Sequence, residues 1–198
     1  PIKLNIHTII LAGGKGTRML SQKAKVLQAL GGRTMLNHVL TTANKISNKI
    51  SVVVGFDKEG VEEEIKKIGI DANTFLQKEQ IGTADAVKTT LKDIDKNEKI
   101  LILYGDVPLI KEETLKKLCN QESDLSILTT NLENPTGYGR TLKDKENNVL
   151  GIIEEKDADS EQKKIKEIFT GILVAKGSVL KKYIPEINNN NATKEFYL

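Results

Sequence analysis

The stretch TIILAGGKGTR, residues 8–18, decides the fold. Its first five residues, Thr8 to Ala12, are mostly β-branched or apolar and predict a buried strand. The three glycines that follow, with Lys15 and Arg18, predict a loop whose backbone N–H groups can approach a polyphosphate. Because an open α/β sheet binds ligands outside the carboxyl ends of its strands, this loop is the first candidate site. Taken alone, it could also be a tight turn with solvated lysines.

The loop matches neither of the common nucleotide-binding motifs. A dinucleotide fingerprint would need a glycine where Met19 stands, and a Walker A loop would end in Gly-Lys-Ser/Thr. Phosphate binding here would therefore depend on glycine backbone and on nearby cations, among which Lys25 follows further along the chain.

Outward from this loop, apolar runs alternate with helical patterns. Strands are predicted at residues 50–54, 74–76 and 100–103, with helices between them, including one from Met35 to about Ile46 that Thr34 caps. This alternation predicts an α/β fold with a Rossmann-like, mostly parallel sheet flanked by helices. After Asp124, shorter strands predict a small antiparallel subregion that continues the same sheet. No linker-like composition intervenes, so residues 1–198 are predicted to form a single domain.

Composition excludes several functional classes. The chain has 198 residues and 30 Lys+Arg against 27 Asp+Glu, a net charge of +3, and its lysines are scattered among acids, so no nucleic-acid partner is predicted. No apolar stretch approaches the ~20 residues of a membrane span, so no membrane partner is predicted. One cysteine and two histidines exclude a disulfide framework and a Cys- or His-rich metal site, which favours a cytoplasmic location.

Two further groups of residues follow predicted strands. Asp106, in Tyr104-Gly105-Asp106, places a carboxylate where Mg²⁺ can be held by one or two carboxylates and substrate phosphates, although it could also be a turn residue before Pro108. Gln77, Gly82 and Thr83 could contact a nucleotide base through amide and backbone hydrogen bonds, or could form an ordinary loop and helix cap.

Several motifs in combination carry a family resemblance. They are LAGGKGTRM (11–19), KVLQALGG (25–32), LQKEQIGTADAV (76–87), LYGDVPLI (103–110), NPTGYGR (134–140), GIIEEKDA (151–158) and FTGILVAKG (169–177). Together they resemble the pyrophosphorylase domain of the bacterial bifunctional N-acetylglucosamine-1-phosphate uridylyltransferases, in the sugar-nucleotidyltransferase superfamily. The resemblance implies the nucleotide-diphospho-sugar transferase fold. It also implies Mg²⁺-dependent uridylyl transfer from UTP to N-acetylglucosamine 1-phosphate, and it leaves a homo-oligomer open.

The resemblance also implies roles for individual residues. Arg18 and Lys25 would be catalytic by neutralising the UTP phosphates, and Asp106 would hold the magnesium. The implied nucleotide-binding residues are Leu11, Ala12, Gly13, Gly14, Gln77, Gly82 and Thr83. The implied sugar-binding residues are Tyr104, Gly105, Gly139 and Glu154. This chemistry needs positioning and charge neutralisation rather than a covalent nucleophile, which agrees with the lack of a credible nucleophilic triad.

The sequence departs from the family pattern at three places. Phe169 stands where the family has an Asn that hydrogen-bonds the sugar, and Ala24 stands where a Pro fixes the backbone before Lys25. The sequence ends at Leu198, before the family's second magnesium ligand, so a C-terminally truncated domain without the acetyltransferase β-helix is expected. These departures leave two alternatives open: a degenerate, non-catalytic nucleotide-binding homologue, or a nucleotidyltransferase for another sugar phosphate.

Overall fold

The computed structural model describes residues 5–16 and 21–198. Within this part of the chain there are ten β-strands and five α-helices. The strands are β1 (Ile6–Leu11), β2 (Ala29–Leu30), β3 (Arg33–Thr34), β4 (Lys49–Val54), β5 (Asn73–Leu76), β6 (Lys99–Tyr104), β7 (Leu125–Asn131), β8 (Arg140–Lys143), β9 (Val149–Ile153) and β10 (Glu167–Lys176). The helices are α1 (Met35–Ile46), α2 (Lys58–Ile68), α3 (Thr83–Lys88), α4 (Glu112–Cys119) and α5 (Gly177–Tyr183). None of these helices is long and apolar enough to cross a membrane.

Eight of the described strands form one mixed sheet. Its order is β5-β4-β1-β6-β10-β8-β9, and β7 also pairs with β10. Strands β5, β4, β1 and β6 are parallel to one another, whereas β10 runs antiparallel to β6, β7 and β8. Strands β2 and β3 form a separate small hairpin. The predicted α/β class is confirmed, and the antiparallel strands continue the parallel sheet as predicted.

Helices cover both faces of this sheet. Successive residues of the central strands belong to different apolar clusters: Ile10 and Leu101 pack with residues of α1, α2 and α4, while Ile9 and Ile102 pack with residues of α3 and α5. This follows from the two-residue side-chain period of a strand. Because both faces are buried, the central strands contain continuous apolar runs of three or four residues, as expected for parallel strands.

Local signals explain the bounds of helices α1 and α3. Helix α1 has the predicted bounds because Thr34 Oγ1 accepts a hydrogen bond from the Asn37 N–H, 3.0 Å away. The apolar spacing of Ala84, Val87 and Leu91 predicts another helix, but the helix observed there is shorter, since α3 ends at Lys88 and a 3₁₀ turn follows at Leu91–Asp93. The hydroxyls of Thr89 and Thr90 donate to carbonyls three residues earlier, which competes with helix continuation.

Candidate active site

The loops after β1, β5 and β6 meet at the carboxyl ends of the parallel strands. The loop after β1 is fixed by the Ala12 N–H, which donates to Val53 O over 2.9 Å. The segment after β5 begins with the Gln77 N–H donating to Val54 O over 2.8 Å, and that after β6 with the Gly105 N–H donating to Leu11 O over 2.9 Å. These bonds continue the sheet beyond its strands, so the candidate residues are held by the sheet itself.

A cavity of about 280 Å³ lies at this edge. All seven predicted nucleotide-binding residues line it: Leu11, Ala12, Gly13, Gly14, Gln77, Gly82 and Thr83. Lys25, Tyr104 and Asp106 line it as well. Arg18, the other residue predicted to be catalytic, lies outside the described residues. The structure therefore brings together predicted site residues that are up to 95 positions apart, between Leu11 and Asp106.

Lys25 and Asp106 form an ion pair on the wall of this cavity. The Lys25 Nζ lies 3.1 Å from the Asp106 Oδ2, and the two side chains are 44% and 37% exposed. At that exposure the pair contributes little to folding stability, and both groups are accessible to a ligand in the cavity. A lysine beside a carboxylate offers an anionic substrate one cation and offers a divalent ion one ligand.

Gln77 presents an acceptor to the cavity. It is buried, and its Nε2 donates to Gly82 O over 3.1 Å and to Asp85 Oδ2 over 2.9 Å. Because both amide hydrogens are used within the protein, Gln77 can offer a ligand only its Oε1. A base that carries an N–H donor would fit this position.

A second cavity of about 210 Å³ adjoins the first. The two cavities share Thr83, Tyr104 and Tyr197 in their walls. Three of the four predicted sugar-binding residues line this second cavity, namely Tyr104, Gly139 and Glu154, and Phe169 lines it as well. The fourth, Gly105, is buried between Tyr104 and Asp106, where its N–H bonds to Leu11. The family position now held by Phe169 is thus part of the predicted sugar region.

Burial controls the charge in this second cavity. It raises the pKa of Glu154, and the nearby Asp157 and Glu195 carboxylates raise it further. Burial also raises the pKa of the Tyr104 phenol, with Asp106 and Glu154 adding to the effect, so this hydroxyl stays protonated. Its proton is donated to Gly171 O over 3.2 Å. Tyr104 therefore contributes a fixed ring rather than an ionisable group.

The segment Glu195–Leu198 also forms part of the wall, and the sequence did not predict this role. The Phe196 N–H donates to Ile81 O over 2.7 Å, the Ala84 N–H donates to Phe196 O over 2.9 Å, and the Leu198 N–H donates to Thr83 Oγ1 over 3.1 Å. Glu195 and Tyr197 consequently face the first cavity, along with Val26, Gln80 and Ala86, which were also not predicted. The polar side chains of Gln80 and Tyr197 are the sequence signal that could have suggested a place for these two residues in the site.

Among the described residues, no group of three or more His, Cys, Asp or Glu could hold a metal ion by itself. The single carboxylate of Asp106 fits a magnesium ion that keeps waters and binds substrate phosphates, because Mg²⁺ is commonly held by only one or two protein carboxylates. A zinc-type site with closed protein coordination does not fit the same residues.

Comparison with known proteins agrees with this chemistry and identifies the family. The chain belongs to the family of MobA-like NTP transferase domains, whose model matches residues 8–161. It is 46% identical over 196 residues to the bifunctional protein GlmU of Ruthia magnifica subsp. Calyptogena magnifica. It is 44% identical over 199 residues to the protein of the same name from Buchnera aphidicola subsp. Schizaphis graminum (strain Sg).

These alignments cover 98% and 99% of this chain but only 43% and 42% of the relatives, so the chain spans less than half of their length. The resemblance to a pyrophosphorylase domain, predicted from the motifs, is confirmed.

Two solved structures share the fold. One is assigned as a glucose-1-phosphate thymidylyltransferase from Bacillus anthracis, with a TM-score of 0.73, 20% identity and coverage of 88% of this chain and 73% of that one. The other is a UDP-glucose pyrophosphorylase complexed with UDP-glucose, with a TM-score of 0.80, 14% identity and coverage of 98% and 84%.

Proposed function

We propose that this chain transfers a uridylyl group from UTP to N-acetylglucosamine 1-phosphate, with Mg²⁺, to give UDP-N-acetylglucosamine and pyrophosphate. The observation that carries the proposal is the Lys25–Asp106 pair, 3.1 Å apart, on the wall of a cavity that adjoins a second one. Two adjoining cavities suit two substrates that must react with each other. The identity of 43–46% to the curated relatives supports the same reaction class.

The proposed reaction is an in-line substitution at phosphorus. A phosphate oxygen of the sugar 1-phosphate attacks the α-phosphorus of UTP and forms a new P–O bond. The bond between that phosphorus and the oxygen bridging to the β-phosphate breaks, and its electron pair leaves with pyrophosphate. Lys25 and Arg18 would neutralise the negative charge on the phosphates, which is the main requirement of such a transfer.

Asp106 would hold the magnesium ion. When bound, the ion would neutralise phosphate charge and orient the phosphates. Lys25 donates a hydrogen bond to the same carboxylate, so the chain's own residues keep a cation and a carboxylate side by side at the position where the phosphates would lie.

The base preference follows from Gln77. Its Oε1 would accept a hydrogen bond from the N3–H of uracil, whereas cytosine presents an unprotonated N3 and would leave two acceptors opposed. We therefore expect UTP to be used in preference to CTP. Gly82 and Thr83, which share this cavity wall, would complete the base contact through their backbone.

A second candidate function is nucleotidyl transfer to a different sugar 1-phosphate. Phe169 favours it, because this side chain lines the second cavity and can accept or donate no hydrogen bond to a sugar. The UTP, Mg²⁺ and Lys25–Asp106 parts of the proposal are the same for either sugar.

Pyrophosphate release from UTP, Mg²⁺ and a panel of sugar 1-phosphates tests the proposal. We expect turnover with N-acetylglucosamine 1-phosphate and its loss when UTP is replaced by CTP. Turnover only with another sugar 1-phosphate would favour the second candidate. If no sugar supports turnover while UTP still raises the melting temperature, the chain is a nucleotide-binding homologue and the enzymatic proposal is wrong.

Asp106→Asn tests the assigned metal ligand. It removes the negative charge while keeping the shape of the side chain, and we expect turnover to fall by at least about 10²-fold. Asp71→Asn is the matched control, since Asp71 is exposed and belongs to neither cavity. Full activity of Asp106→Asn would contradict the metal assignment and leave the rest of the site standing.

A further inference from the structure

The backbone that carries Lys25 is fixed by a contact with a distant segment of the chain. Lys25 begins a short 3₁₀ turn, Lys25–Leu27, in which the Leu27 N–H donates to Ala24 O over 3.0 Å and the Gln28 N–H donates to Lys25 O over 3.1 Å. Ala24 is completely buried, so the turn starts at a fixed point inside the protein. The position of the Lys25 ammonium therefore depends on what fixes Ala24.

The group that fixes Ala24 is the carboxylate of Asp57. The Ala24 N–H donates to Asp57 Oδ2 over 3.0 Å, while Asp57 Oδ1 accepts from the Gly60 N–H over 3.3 Å as the N-cap of α2. One carboxylate thus joins the start of α2 to the segment before Lys25, 33 residues earlier in the chain. A helix cap needs only one of these oxygens.

The local backbone is specialised for this double contact. Asp57 adopts a left-handed conformation with φ of 53°, which is uncommon for a residue other than glycine. Gly60 has no side chain, and a Cβ there would lie 2.6 Å from either Asp57 oxygen, so only glycine allows this approach. Neither feature is needed for a simple cap, which most helices form in an extended conformation.

We propose that Asp57 is a positioning residue for the reaction. Through the Ala24 N–H, its Oδ2 sets the 3₁₀ turn that places Lys25 beside Asp106. This inference rests on the proposed function, because Lys25 matters for activity only if the cavity binds a polyphosphate. Asp57 itself lines a different, charged groove with Lys23, Glu63 and Glu64, and it is not a wall of either substrate cavity.

The variant Asp57→Gly isolates this role. Glycine accepts a φ of 53° without strain and is among the favoured N-cap residues, so we expect the protein to fold. Loss of the bond to Ala24 should raise the Kd for magnesium-UTP by about tenfold and lower kcat/KM for UTP by a similar factor. Asp159→Gly is the matched control, because Asp159 Oδ1 also accepts from a backbone N–H, that of Gln162, but far from Ala24.

Ala24→Pro provides a rescue. Ala24 has φ of −57° and ψ of 141°, values that proline adopts readily. In the wild-type background the proline ring would take the space of the N–H and meet the Asp57 oxygen, so we expect Ala24→Pro alone to weaken magnesium-UTP binding. Once Asp57 is glycine, that space is open and proline itself fixes the backbone. The double variant Ala24→Pro/Asp57→Gly should therefore recover most of the lost affinity.

A ligand-free measurement separates this inference from the proposed function. Hydrogen exchange at the Leu27 and Gln28 amides reports the 3₁₀ turn directly. We expect exchange at these amides to be about tenfold faster in Asp57→Gly and to return toward the wild-type rate in the double variant. If the wild type binds no UTP at all, the proposed function fails while this exchange pattern still supports the positioning role.

Three results would overturn the inference. The first is an Asp57→Gly protein with wild-type exchange at Leu27 and Gln28. The second is a wild type that binds magnesium-UTP with an affinity that Asp57→Gly does not change. The third is a double variant no better than Asp57→Gly in both measurements, since the carboxylate would then not act through the backbone of residue 24.

Discussion

Phe169 occupies a wall of the second cavity together with Gly139 and Glu154. Its N–H donates to Gly139 O over 3.0 Å, so the backbone is fixed there and only the side chain changes what a sugar meets. If N-acetylglucosamine 1-phosphate is the substrate, Phe169→Asn should restore a polar contact. We expect kcat/KM for this sugar to rise at least about tenfold while the KM for UTP stays constant.

Phe169→Leu is the control for this prediction, because it alters the volume of the side chain without adding a hydrogen-bonding group. Steady-state kinetics with both substrates distinguishes the two variants. If Phe169→Asn lowers kcat/KM for N-acetylglucosamine 1-phosphate and Phe169→Leu does not, the phenyl ring is a positive determinant of substrate choice. The second candidate function would then be favoured.

Glu154 is expected to lower the stability of the protein near pH 7 and to contribute to substrate binding. Since its pKa is raised in the native state by burial, Asp157 and Glu195, the native protein binds the Glu154 proton more tightly than the unfolded chain does. Stability is therefore lost as the pH rises from the unfolded value of about 4.3 through the raised native pKa. We expect Glu154→Gln to melt at a higher temperature than the wild type near pH 7 and at the same temperature near pH 4.

Glu154→Gln should also lose activity, because a carboxyl group in a cavity wall where its charged form is disfavoured indicates a role in substrate binding. We expect kcat/KM for the sugar phosphate to fall by about 10- to 100-fold. Calorimetry at both pH values and kinetics near pH 7 are the measurements. A Glu154→Gln protein that is less stable than wild type near pH 7 would contradict the assigned pKa direction.

At the scale of elements, local sequence signals predict helices and buried strands well. Helix α1 has the predicted bounds because its capping residue and its apolar periodicity agree. The apolar run at residues 172–175 predicts a strand there, but β10 is longer, since Gly171, at φ of 86°, and a shift of register with β7 interrupt its pattern without ending it. Such a bulge is stabilised by the neighbouring strands, which the local pattern does not contain.

The sequence likewise predicts only part of the candidate site. Residues in loops directly after strands were predicted, because the carboxyl edge of a parallel sheet is a general binding position. Glu195, Tyr197 and Asp57 were not, because each reaches its partners through contacts between segments far apart in the chain. No periodicity or motif within a short window carries that information.

The segment Glu195–Leu198 is held against the loop before α3 through Gly82. This glycine has φ of 129°, and a Cβ on it would lie 2.1 Å from Phe196 O. We expect Gly82→Ala to destabilise the protein by about 2–4 kcal/mol and to raise the KM for UTP at least severalfold, because the segment must move away from the cavity.

Urea unfolding and UTP titration measure both effects. Gly151→Ala is the matched control, since a Cβ on Gly151 meets no atom within 4 Å. A Gly82→Ala protein with wild-type stability and KM would mean that the contact between the two segments does not shape the first cavity.

At the scale of the whole molecule, the parallel sheet has different chemistry at its two ends. The carboxyl ends of the strands carry the cavities. Near the opposite end lies a buried polar cluster in which His7 Nε2 is 2.7 Å from Ser51 Oγ and His7 Nδ1 is 3.1 Å from Glu98 Oε1. His7 and Ser51 are completely buried and Glu98 nearly so, which keeps this cluster out of reach of substrates. Its role is therefore in stability.

Protonation of His7 links this cluster to pH. Burial lowers the pKa of His7, and Lys49 lowers it further, although Glu98 and Asp93 act in the opposite direction. The native ring is thus neutral, with Ser51 donating to Nε2 and Nδ1 donating to Glu98. The unfolded chain takes up the proton first, near pH 6.5. Stability is complete above that pH and is lost as the pH falls from about 6.5 through the lowered native pKa.

His7→Gln tests this linkage, because glutamine keeps a donor and an acceptor but does not titrate. Above about pH 7 the variant should be less stable than the wild type by a constant amount, owing to imperfect packing in a closed site. Between about pH 6.5 and 5 the difference in the free energy of unfolding should narrow, by at most about 1.4 kcal/mol per pH unit, since only the wild type then loses stability through this residue.

Urea unfolding across this pH range measures how the difference changes with pH. A difference that stays constant below pH 6.5 would mean that His7 binds its proton equally well in the native and unfolded states, and that burial is fully offset by Glu98.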